Sequence, residues 1–322
     1  MEQVGGTWGA VHVNSSRERA SVDINFHGLR YASVIYAKGN IAQGLGAQAF
    51  YISKNGGHIQ LNKVDPGSGA LAEAIETKKH SILEAWLEKD RELQPECQKL
   101  RLILDEYRVY SRYALTALRE RGSPQSSDVS LLPDGSNVFS LLRNWRDSGD
   151  LEERYEFVSE GLRQAFPGQF QRFDFDSAQT VVFAAFRDKN GVKVPARAVS
   201  EGLLTVLLQL CAVASTPGGG VVAIDEPENS LSPYAIRIFL EHTRIRAAQR
   251  DLTVLLATHS PALLNHFKNE PENVWVIDPE HDVTPKALTE LHDEDWLARF
   301  SIGDLYAREV VGAPHVNGAA AK

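Results

Sequence analysis

Apolar and polar residues alternate through the first part of the chain. The alternation over residues 20–26 has the period of two that is typical of a half-buried β-strand. Two further apolar runs, 49–52 and 58–61, lie on either side of Asn55-Gly56-Gly57. Such a combination strongly indicates a β-hairpin. We therefore predict a β-rich section between residues 18 and 62.

The pattern changes to helical spacing in the next section, residues 70–121. A polar loop rich in Ser, Pro and Asp follows, and residues 137–166 have helical spacing again. Residues 70–166 are therefore predicted to form a helical insertion or lid. The apolar residues that recur three or four positions apart in its first part are Leu71, Ile75, Ile82, Leu83, Trp86, Leu87, Leu100, Leu102, Ile103, Tyr107 and Tyr110.

Apolar runs alternate with a helical segment after residue 167. Residues 170–175 and 180–186 have the composition of strands, and a helix is predicted from Ser200. Residues 221–224 and 252–257 are nearly continuous apolar runs, which are typical of strands buried on both faces of a parallel sheet. The predicted fold class is α/β, with a mixed or parallel sheet flanked by helices and a helical insertion.

The chain has 322 residues, enough for one large domain or two modest ones. The patterns divide it into a β-rich part (1–69), the helical insertion (70–166) and an α/β part (167–322). Its 43% hydrophobic residues, 24% charged residues and net charge of −8 are those of a globular protein without a global basic field.

A local basic patch is compatible with this net charge. Basic residues of the insertion could follow a nucleic-acid backbone, although for each one singly a solvated helical face is the simpler interpretation. These residues include Lys78, Lys79, Arg101, Arg108, Arg112, Arg119 and Arg121.

The sequence indicates a cytoplasmic protein with no membrane contact. Cys97 and Cys211 lack the spacing of metal ligands and indicate a reducing compartment. Residues 1–15 have no basic segment followed by an apolar core, as a signal peptide has. The longest apolar run, which is interrupted by Thr205 and Gln209, is too short to span a bilayer.

The most specific chemical signal is a pair of adjacent acids, Asp225 and Glu226, that ends the apolar run 221–224. In open α/β sheets, ligands bind at the carboxyl ends of strands. One acid there can hold Mg²⁺, largely through water, and the next can orient and deprotonate a water molecule. Taken alone, a strand that ends in a solvated acidic turn accounts for this short pattern about equally well.

A histidine, His259, follows the second apolar run in Thr258-His259-Ser260-Pro261. If the two strands are neighbours, His259 lies beside the acid pair, where it could donate a hydrogen bond to a γ-phosphate or hold the attacking water. Ser260 and Pro261 also make a good helix start. A helix-capping or satisfied polar histidine is therefore the alternative.

Ser200-Glu201-Gly202 opens the predicted helix that begins at Ser200. Backbone N–H groups and the positive end of the dipole at a helix N-terminus favour an anion. A capped helix with no ligand is the alternative interpretation.

Together these segments resemble the C-terminal lobe of ABC-type ATPases of the SMC and RecF-like branch. They look most like the bacterial AAA-family ATPases related to the overcoming-lysogenization-defect proteins, which are common in anti-phage systems. Asp-Glu-Pro-Glu-Asn-x-Leu-x-Pro followed by Thr-His-Ser-Pro is typical of this branch, and residues 300–306 look like the family's tail segment. The resemblance covers residues 155–313. The motifs occur in the family's order, with a signature (Ser200, Gly202), Walker B (Asp225), catalytic glutamate (Glu226), D-loop (Asn229, Ser230, Leu231) and switch histidine (His259).

The resemblance implies ATP and Mg²⁺ as cofactors. It implies that Asp225 coordinates Mg²⁺, that Glu226 polarises the hydrolytic water and that His259 senses the γ-phosphate. It further implies that the signature, Ser200-Glu201-Gly202, binds ATP held by an opposing subunit, and that the D-loop residues Asn229 and Ser230 cross the seam. The chain is thus expected to form a homodimer or higher oligomer through its signature and D-loop face.

No Gly-x-x-x-x-Gly-Lys-Ser/Thr occurs in the sequence, although such a P-loop supplies the main grip on the β- and γ-phosphates. In the family the P-loop precedes sequence like residues 18–62, so residues 1–69 are interpreted as the remainder of the nucleotide-binding N-lobe. The lobe is missing through truncation or a shifted start, a separate polypeptide supplies it, or the chain is a retired ATPase. The intact Asp225, Glu226 and His259 favour the first two explanations.

The leading hypothesis is an ATPase subunit whose ATP-driven dimerisation regulates a partner such as a nuclease, in anti-phage defence or DNA maintenance. It leaves contact with nucleic acid open. The alternative is a non-catalytic scaffold that assembles and holds such an effector. A transporter subunit is disfavoured, because the signature here is Ser-Glu-Gly and not the Ser-Gly-Gly-Gln of transporters.

Overall fold

A computed structural model describes the backbone of residues 11–16, 19–26, 29–36, 47–54, 57–61, 107–178, 180–278 and 282–311. Side chains are described for residues 107–178, 180–277 and 285–311. The chain divides into two compact units, each described by itself below. The first unit comprises Met1–Arg101, Glu270–Ser301 and Leu305–Lys322, and the second comprises Leu102–Asn269 and Ile302–Asp304.

The first unit begins with a five-stranded antiparallel sheet whose strands lie in chain order. Lys54 pairs with Gly57, so a two-residue turn joins the last two strands at the predicted hairpin. The predicted strand over 20–26 is also confirmed. The five strands are β1 (Val11–Ser16), β2 (Arg19–Phe26), β3 (Leu29–Tyr36), β4 (Ala47–Lys54) and β5 (Gly57–Leu61).

The second unit alternates helices and strands. The predicted helices in 137–166 and after Ser200, and the predicted strands at 170–175, 180–186, 221–224 and 252–257, are confirmed. In chain order its elements are β6 (Tyr107–Tyr110), α1 (Leu115–Arg121), β7 (Ser123–Pro124), α2 (Val138–Asp147), α3 (Glu152–Ala165), β8 (Arg172–Ala178), β9 (Val181–Arg187), β10 (Lys193–Pro195), a 3-10 turn (Ala196–Ala198), α4 (Glu201–Ser215), β11 (Val221–Asp225), α5 (Pro233–Arg250), β12 (Thr253–Ala257) and α6 (Pro261–Leu264).

A three-stranded parallel sheet organises this unit, with β11 between β12 and β6. Val222 and Ile224 of β11 are fully buried on the face towards the core, and every residue of α4 after Glu201 is buried as well. The opposite face carries Val109 and Leu255, whose exposed fractions are 65% and 55%. The apolar runs predict burial on both faces, but on the face opposite the core Val221 is the one buried residue of the described strands.

One prediction from the helical pattern is wrong. Tyr107 and Tyr110 lie on strand β6, which pairs with β11 in parallel register from Val221↔Tyr107 to Ile224↔Tyr110. Tyr-Arg-Val-Tyr also alternates at period two, and a run this short fits either structure until tertiary pairing decides. Residues 115–121 of the same predicted section are helical, whereas residues 70–106 lie outside the described part of the chain. The three-part division at 69/70 and 166/167 stays a prediction.

A second, antiparallel sheet of the same unit is centred on β9. Strand β9 pairs with β8, β10 and β7. The aromatic rings of Phe170, Phe173 and Phe186 pack against one another, with ring centroids 4.5 Å to 6.0 Å apart, and all three side chains are buried. This sheet and the parallel sheet give the mixed α/β class that the sequence predicts.

The remaining described residues form a hairpin and short helices. Strands β13 (Trp275–Asp278) and β14 (Asp282–Ala287) pair in antiparallel register with a shift between Val276 and Asp278. Among the described helices, none has both the length and the hydropathy needed to cross a bilayer. The short helices are α7 (Leu288–Leu291), α8 (Glu294–Leu297) and α9 (Ile302–Ala307).

Candidate functional site

The two adjacent acids lie at the carboxyl end of the central parallel strand. Asp225 is the last residue of β11, and both Asp225 and Glu226 are exposed. The strand is anchored from the core side by the buried Val222 and Ile224. Among the described residues, the Asp225 carboxylate has no hydrogen-bond or ion-pair partner. It is therefore available to a ligand at the edge of the sheet.

Glu226 has an uncommon backbone conformation, with φ of 45°. Non-glycine residues in this left-handed region persist where surrounding contacts fix them. Glu226 N donates to Ala257 O at 2.8 Å, and Asn229 N donates to Glu226 O at 3.1 Å. Asn229 Nδ2 also donates to Glu226 Oε2 at 2.7 Å. Backbone and side chain of Glu226 are thus both held by hydrogen bonds.

A compact turn, residues 226–231, follows β11. Ser230 also has a positive φ, of 65°, and Leu231 N donates to Glu228 O at 3.0 Å. Gln209, which is 1% exposed in the middle of α4, donates from Nε2 to Pro227 O at 2.7 Å. The turn therefore rests directly on the buried helix.

The predicted signature lies against this turn. Ser200 caps α4, and its Oγ accepts a hydrogen bond from Leu203 N at 3.2 Å. Ser230 Oγ donates to Glu201 Oε1 at 2.9 Å. A Cβ added at Gly202 would lie 2.5 Å from Ser230 O, so only glycine fits without a shift. The structure thus brings the predicted signature and D-loop residues together.

His259 lies two residues beyond β12. Asp225 pairs with Ala257 in the parallel register of β11 and β12, so the two strands that precede the acids and the histidine are neighbours, as the prediction required. His259 is exposed. Ser260 Oγ accepts from Leu263 N at 3.4 Å and caps α6, where Pro261 is the first residue. The helix-start interpretation of Ser260-Pro261 is therefore also correct.

Two contacts at the site were missed by the sequence reasoning. Gln209 appeared there only as a polar interruption of an apolar run, although a lone amide in an otherwise apolar helix is itself a signal of a buried hydrogen bond. The second contact joins Thr258 Oγ1 to Glu228 Oε1 at 2.6 Å. Thr258 and Glu228 belong to the two sequence motifs, but residue types alone do not indicate that the two side chains meet.

The acids fit Mg²⁺ only as part of a larger coordination sphere. No group of three or more His, Cys, Asp and Glu side chains that could hold a metal ion occurs in the described part of the chain. Mg²⁺ usually binds one or two carboxylates, waters and substrate phosphates. Asp225, exposed at the end of β11, suits the role of such a single carboxylate ligand, with Glu226 beside it.

Comparison with known protein families gives one match. A family model described as "AAA domain, putative AbiEii toxin, Type IV TA system" matches residues 76–265, which is more than half of the chain. The matched range contains the whole candidate site, from Ser200 to His259. No curated protein matches the chain.

Among solved structures, SMC head domains are similar to the chain at low identity. A SmcHead bound to the C-winged helix domain of ScpA is 12% identical, with coverage of 76% of this chain and 68% of that chain and a TM-score of 0.41. The SMC head domain from Thermotoga maritima is 8% identical, with coverages of 80% and 70% and a TM-score of 0.34. The Smc head domain from Pyrococcus furiosus, with an extended coiled coil and bound to the C-terminal domain of ScpA, is 10% identical, with coverages of 78% and 74% and a TM-score of 0.36. These scores describe a loose likeness.

Proposed function

Because this chain belongs to the AAA-domain family described as "putative AbiEii toxin, Type IV TA system", we propose that it is an ATP-binding and ATP-hydrolysing subunit. The observation that supports this proposal best is the site at the ends of β11 and β12. Asp225 and Glu226 lie beside the strand that leads to His259, and the N-terminus of α4 contacts the same turn through Glu201 and Ser230.

In the proposed reaction each residue has one task. Bound Mg²⁺ supplies positive charge that neutralises the phosphates of ATP. Asp225 would hold this ion, and Glu226, fixed by Asn229, would orient the attacking water and accept its proton. His259 would donate a hydrogen bond to the γ-phosphate. The family resemblance implies these roles, and the position of the acids and of His259 after the neighbouring strands β11 and β12 supports them.

Asp225, Glu226 and His259 do not bind the phosphates of ATP by themselves, so other groups must provide most of the phosphate binding. No Gly-x-x-x-x-Gly-Lys-Ser/Thr occurs among the 322 residues, and the P-loop amides and lysine normally provide that binding. We propose that another polypeptide, or a further segment of a longer chain, supplies the P-loop. Ser200, which is exposed at the N-terminus of α4, and the buried Gly202 near it would then bind ATP held by the opposing subunit, with the D-loop residues Asn229 and Ser230 at the seam.

We further propose a biological role for this ATPase subunit. ATP-driven dimerisation would regulate a partner, such as a nuclease, in anti-phage defence or DNA maintenance. The family description names a toxin of a toxin–antitoxin system, which is a setting of this general kind. We also propose that the chain is related to the overcoming-lysogenization-defect proteins.

The test is ATP turnover and self-association by the chain, alone and together with a P-loop-bearing polypeptide encoded beside it. We expect Mg²⁺-dependent hydrolysis only in the mixture. Glu226→Gln should abolish hydrolysis and trap an ATP-bound dimer in light scattering, because the amide orients water but cannot accept its proton. Glu241→Gln, which changes an exposed acid of α5, is the matched control. Absence of Mg²⁺-dependent ATP turnover, both in such mixtures and in a longer chain that carries a P-loop segment, contradicts the enzyme proposal.

A non-catalytic scaffold is the second candidate. The observation that favours it is the sequence itself, in which no P-loop motif accompanies the acids. As a scaffold, the chain would assemble and hold an effector without turning over ATP. Its prediction is opposite for the same variant, since Glu226→Gln would then leave effector binding and biological function unchanged.

A further inference from the structure

A side-chain hydrogen bond joins the turn after β11 to the segment after β12. Thr258 Oγ1 donates to Glu228 Oε1 at 2.6 Å, and the same Oγ1 accepts from Ser260 N at 2.9 Å. A hydroxyl has a single proton to donate. Since that proton goes to Glu228, the Thr258 side chain is fixed through both its donor and its acceptor function.

This bond acts together with a backbone bond between the same two segments. Glu226 N donates to Ala257 O at 2.8 Å, one residue before Thr258. His259 stands between Thr258 and Ser260, both of which take part in the link. Consequently the backbone on each side of His259 is tied, directly or through Thr258, to the turn that carries Glu226.

The Glu228 carboxylate is partly removed from water, although one side-chain hydrogen bond, from Thr258, is the only one it accepts among the described residues. Its second oxygen, Oε2, is buried and has no hydrogen-bond partner among the described residues. A buried carboxylate oxygen without a partner is unfavourable. A shorter neutral side chain could occupy this position in the turn without that cost, so stability alone gives no reason for a glutamate here.

We propose that Glu228 is a positioning residue, which fixes His259 relative to Glu226 through its hydrogen bond with Thr258. The proposal deepens the proposed function and rests on it for the consequence in catalysis, but the mechanical link between the two segments stands on the contacts alone. Loss of the side-chain link would leave the backbone bond from Glu226 N to Ala257 O but would let His259 shift relative to Glu226, while the phosphates stay bound by groups elsewhere. The effect is therefore expected on kcat and not on the KM for ATP.

The link itself is tested without nucleotide, by hydrogen–deuterium exchange of the full chain. We expect Glu228→Ala to raise amide exchange in residues 258–264, and Thr258→Val to raise it in residues 226–231. Glu228→Gln keeps an acceptor oxygen and Thr258→Ser keeps the hydroxyl, so both should restore most of the protection. The link is contradicted if each substitution changes exchange only in its own segment.

A matched control is available at the other end of α4. Thr216 Oγ1 donates to Ala212 O at 3.0 Å, and Thr216 is 3% exposed. Thr216→Val removes a similar hydroxyl bond without touching the site. In this variant the amide exchange of residues 226–231 and 258–264 should be the same as in the wild type.

The catalytic consequence is tested in the assembled ATPase. Glu228→Ala and Thr258→Val should each lower kcat about tenfold or more, with the KM for ATP little changed, and the double variant should lose no more than the worse single variant. Wild-type kcat in both single variants would overturn the positioning role. If the wild-type mixture shows no turnover, the proposed function fails, whereas the exchange result still decides whether the link exists.

Discussion

Asn229 Nδ2 lies 2.7 Å from Oε2 of Glu226, the residue three positions earlier, and donates a hydrogen bond to it. Glu226 has a φ of 45°, so its side chain leaves the chain in a direction that regular strand geometry does not give. The bond from Asn229 selects one orientation of that side chain. Asn229, which the family resemblance assigns to the dimer seam, therefore also has a task within its own subunit.

Replacing Asn229 with Ala should lower ATP turnover in the assembled ATPase. Without the amide donor, Glu226 samples several rotamers, and misplacement of a catalytic group by about 1 Å can lower the rate about 100-fold. The free energy of unfolding should change by less than about 0.5 kcal/mol, because Asn229 is exposed. Steady-state kinetics and urea unfolding measure the two effects.

A bond of the same spacing elsewhere provides the control for Asn229. Asn273 Nδ2 donates to Glu270 Oε2 at 3.4 Å, also across three residues. Asn273→Ala should leave turnover unaltered. Equal kcat for Asn229→Ala and the wild type would show that Glu226 does not need this donor.

Gly202→Ala should destabilise the protein. Alanine favours a helix over glycine by about 1 kcal/mol, but the new Cβ would lie 2.5 Å from Ser230 O, a backbone atom of the packed turn. Overpacking of this kind costs about 1–3 kcal/mol, and because the clash is with a backbone atom it should outweigh the gain in propensity. Urea unfolding of the two proteins measures the difference.

The control for Gly202 is a glycine with open space around it. Nothing lies within 4 Å of a Cβ added at Gly149, so Gly149→Ala should keep or raise stability. If Gly202→Ala proves as stable as Gly149→Ala, the close approach of α4 to Ser230 is not maintained in solution.

The sequence was sufficient to predict those parts of the candidate site whose positions depend on regular secondary structure. The apolar runs before Asp225 and His259 indicate parallel strands, and strands that are neighbours place their carboxyl ends together. The register Asp225↔Ala257 confirms that β11 and β12 are neighbours. What remained out of reach depends on tertiary contacts. No residue pattern in the sequence predicts the positive φ of Glu226. Tyr107–Tyr110 is a strand because it pairs with β11, and this pairing is likewise not visible in the sequence.

The sequence indicates that Gln209 makes a buried hydrogen bond, but it does not identify the acceptor. The sequence shows an amide inside an apolar helix, whereas its partner, the carbonyl of Pro227, is a backbone group 18 residues away. Backbone acceptors cannot be identified from residue types. A buried donor therefore predicts that a partner exists, and only the fold shows which group it is.

Gln209→Leu should separate stability from activity. The substitution leaves the Pro227 carbonyl without its donor, which costs about 1–3 kcal/mol. It also removes Gln209 Oε1, a buried acceptor without a hydrogen-bond partner in the described part of the chain, and this offsets part of the loss. We expect a destabilisation of less than about 2 kcal/mol together with a clear fall in kcat, because the turn that holds Glu226 loses its support from α4.

The neighbouring residue Leu208 is the control for Gln209. It is also fully buried, and Leu208→Ala should cost about 2–5 kcal/mol without removing a bond to the turn. Per unit of lost stability, kcat should therefore fall more in Gln209→Leu than in Leu208→Ala. The reverse order would contradict a role of Gln209 in supporting the turn.

The ion pair between α3 and α5 predicts a dependence of stability on pH. Arg246, whose side chain is 4% exposed, donates from Nη1 to Glu153 Oε2 at 2.9 Å and from Nη2 to Oε1 at 3.2 Å, and Arg250 contacts the same carboxylate. These donors, Arg246 first, hold the pKa of Glu153 below its usual value of 4.5. The ionised carboxylate therefore contributes stability that is fully present above pH 4.5 and is lost as the pH falls through the lower pKa of the folded state.

Glu153→Gln tests this dependence. At pH 7 we expect a loss of about 1–2 kcal/mol, a modest value because Glu153 is half exposed and water screens the pair, although Arg246 is buried. The difference from the wild type should stay constant down to about pH 4.5 and shrink below it, as urea unfolding at a series of pH values would show. For the exposed pair Arg237–Glu241, at 2.8 Å, Glu241→Gln should cost less than about 0.5 kcal/mol at any pH. A difference for Glu153→Gln that persists unchanged well below pH 4.5 would mean that the carboxylate charge does not stabilise the contact between the two helices, and that shape and neutral hydrogen bonds hold Arg246 in place.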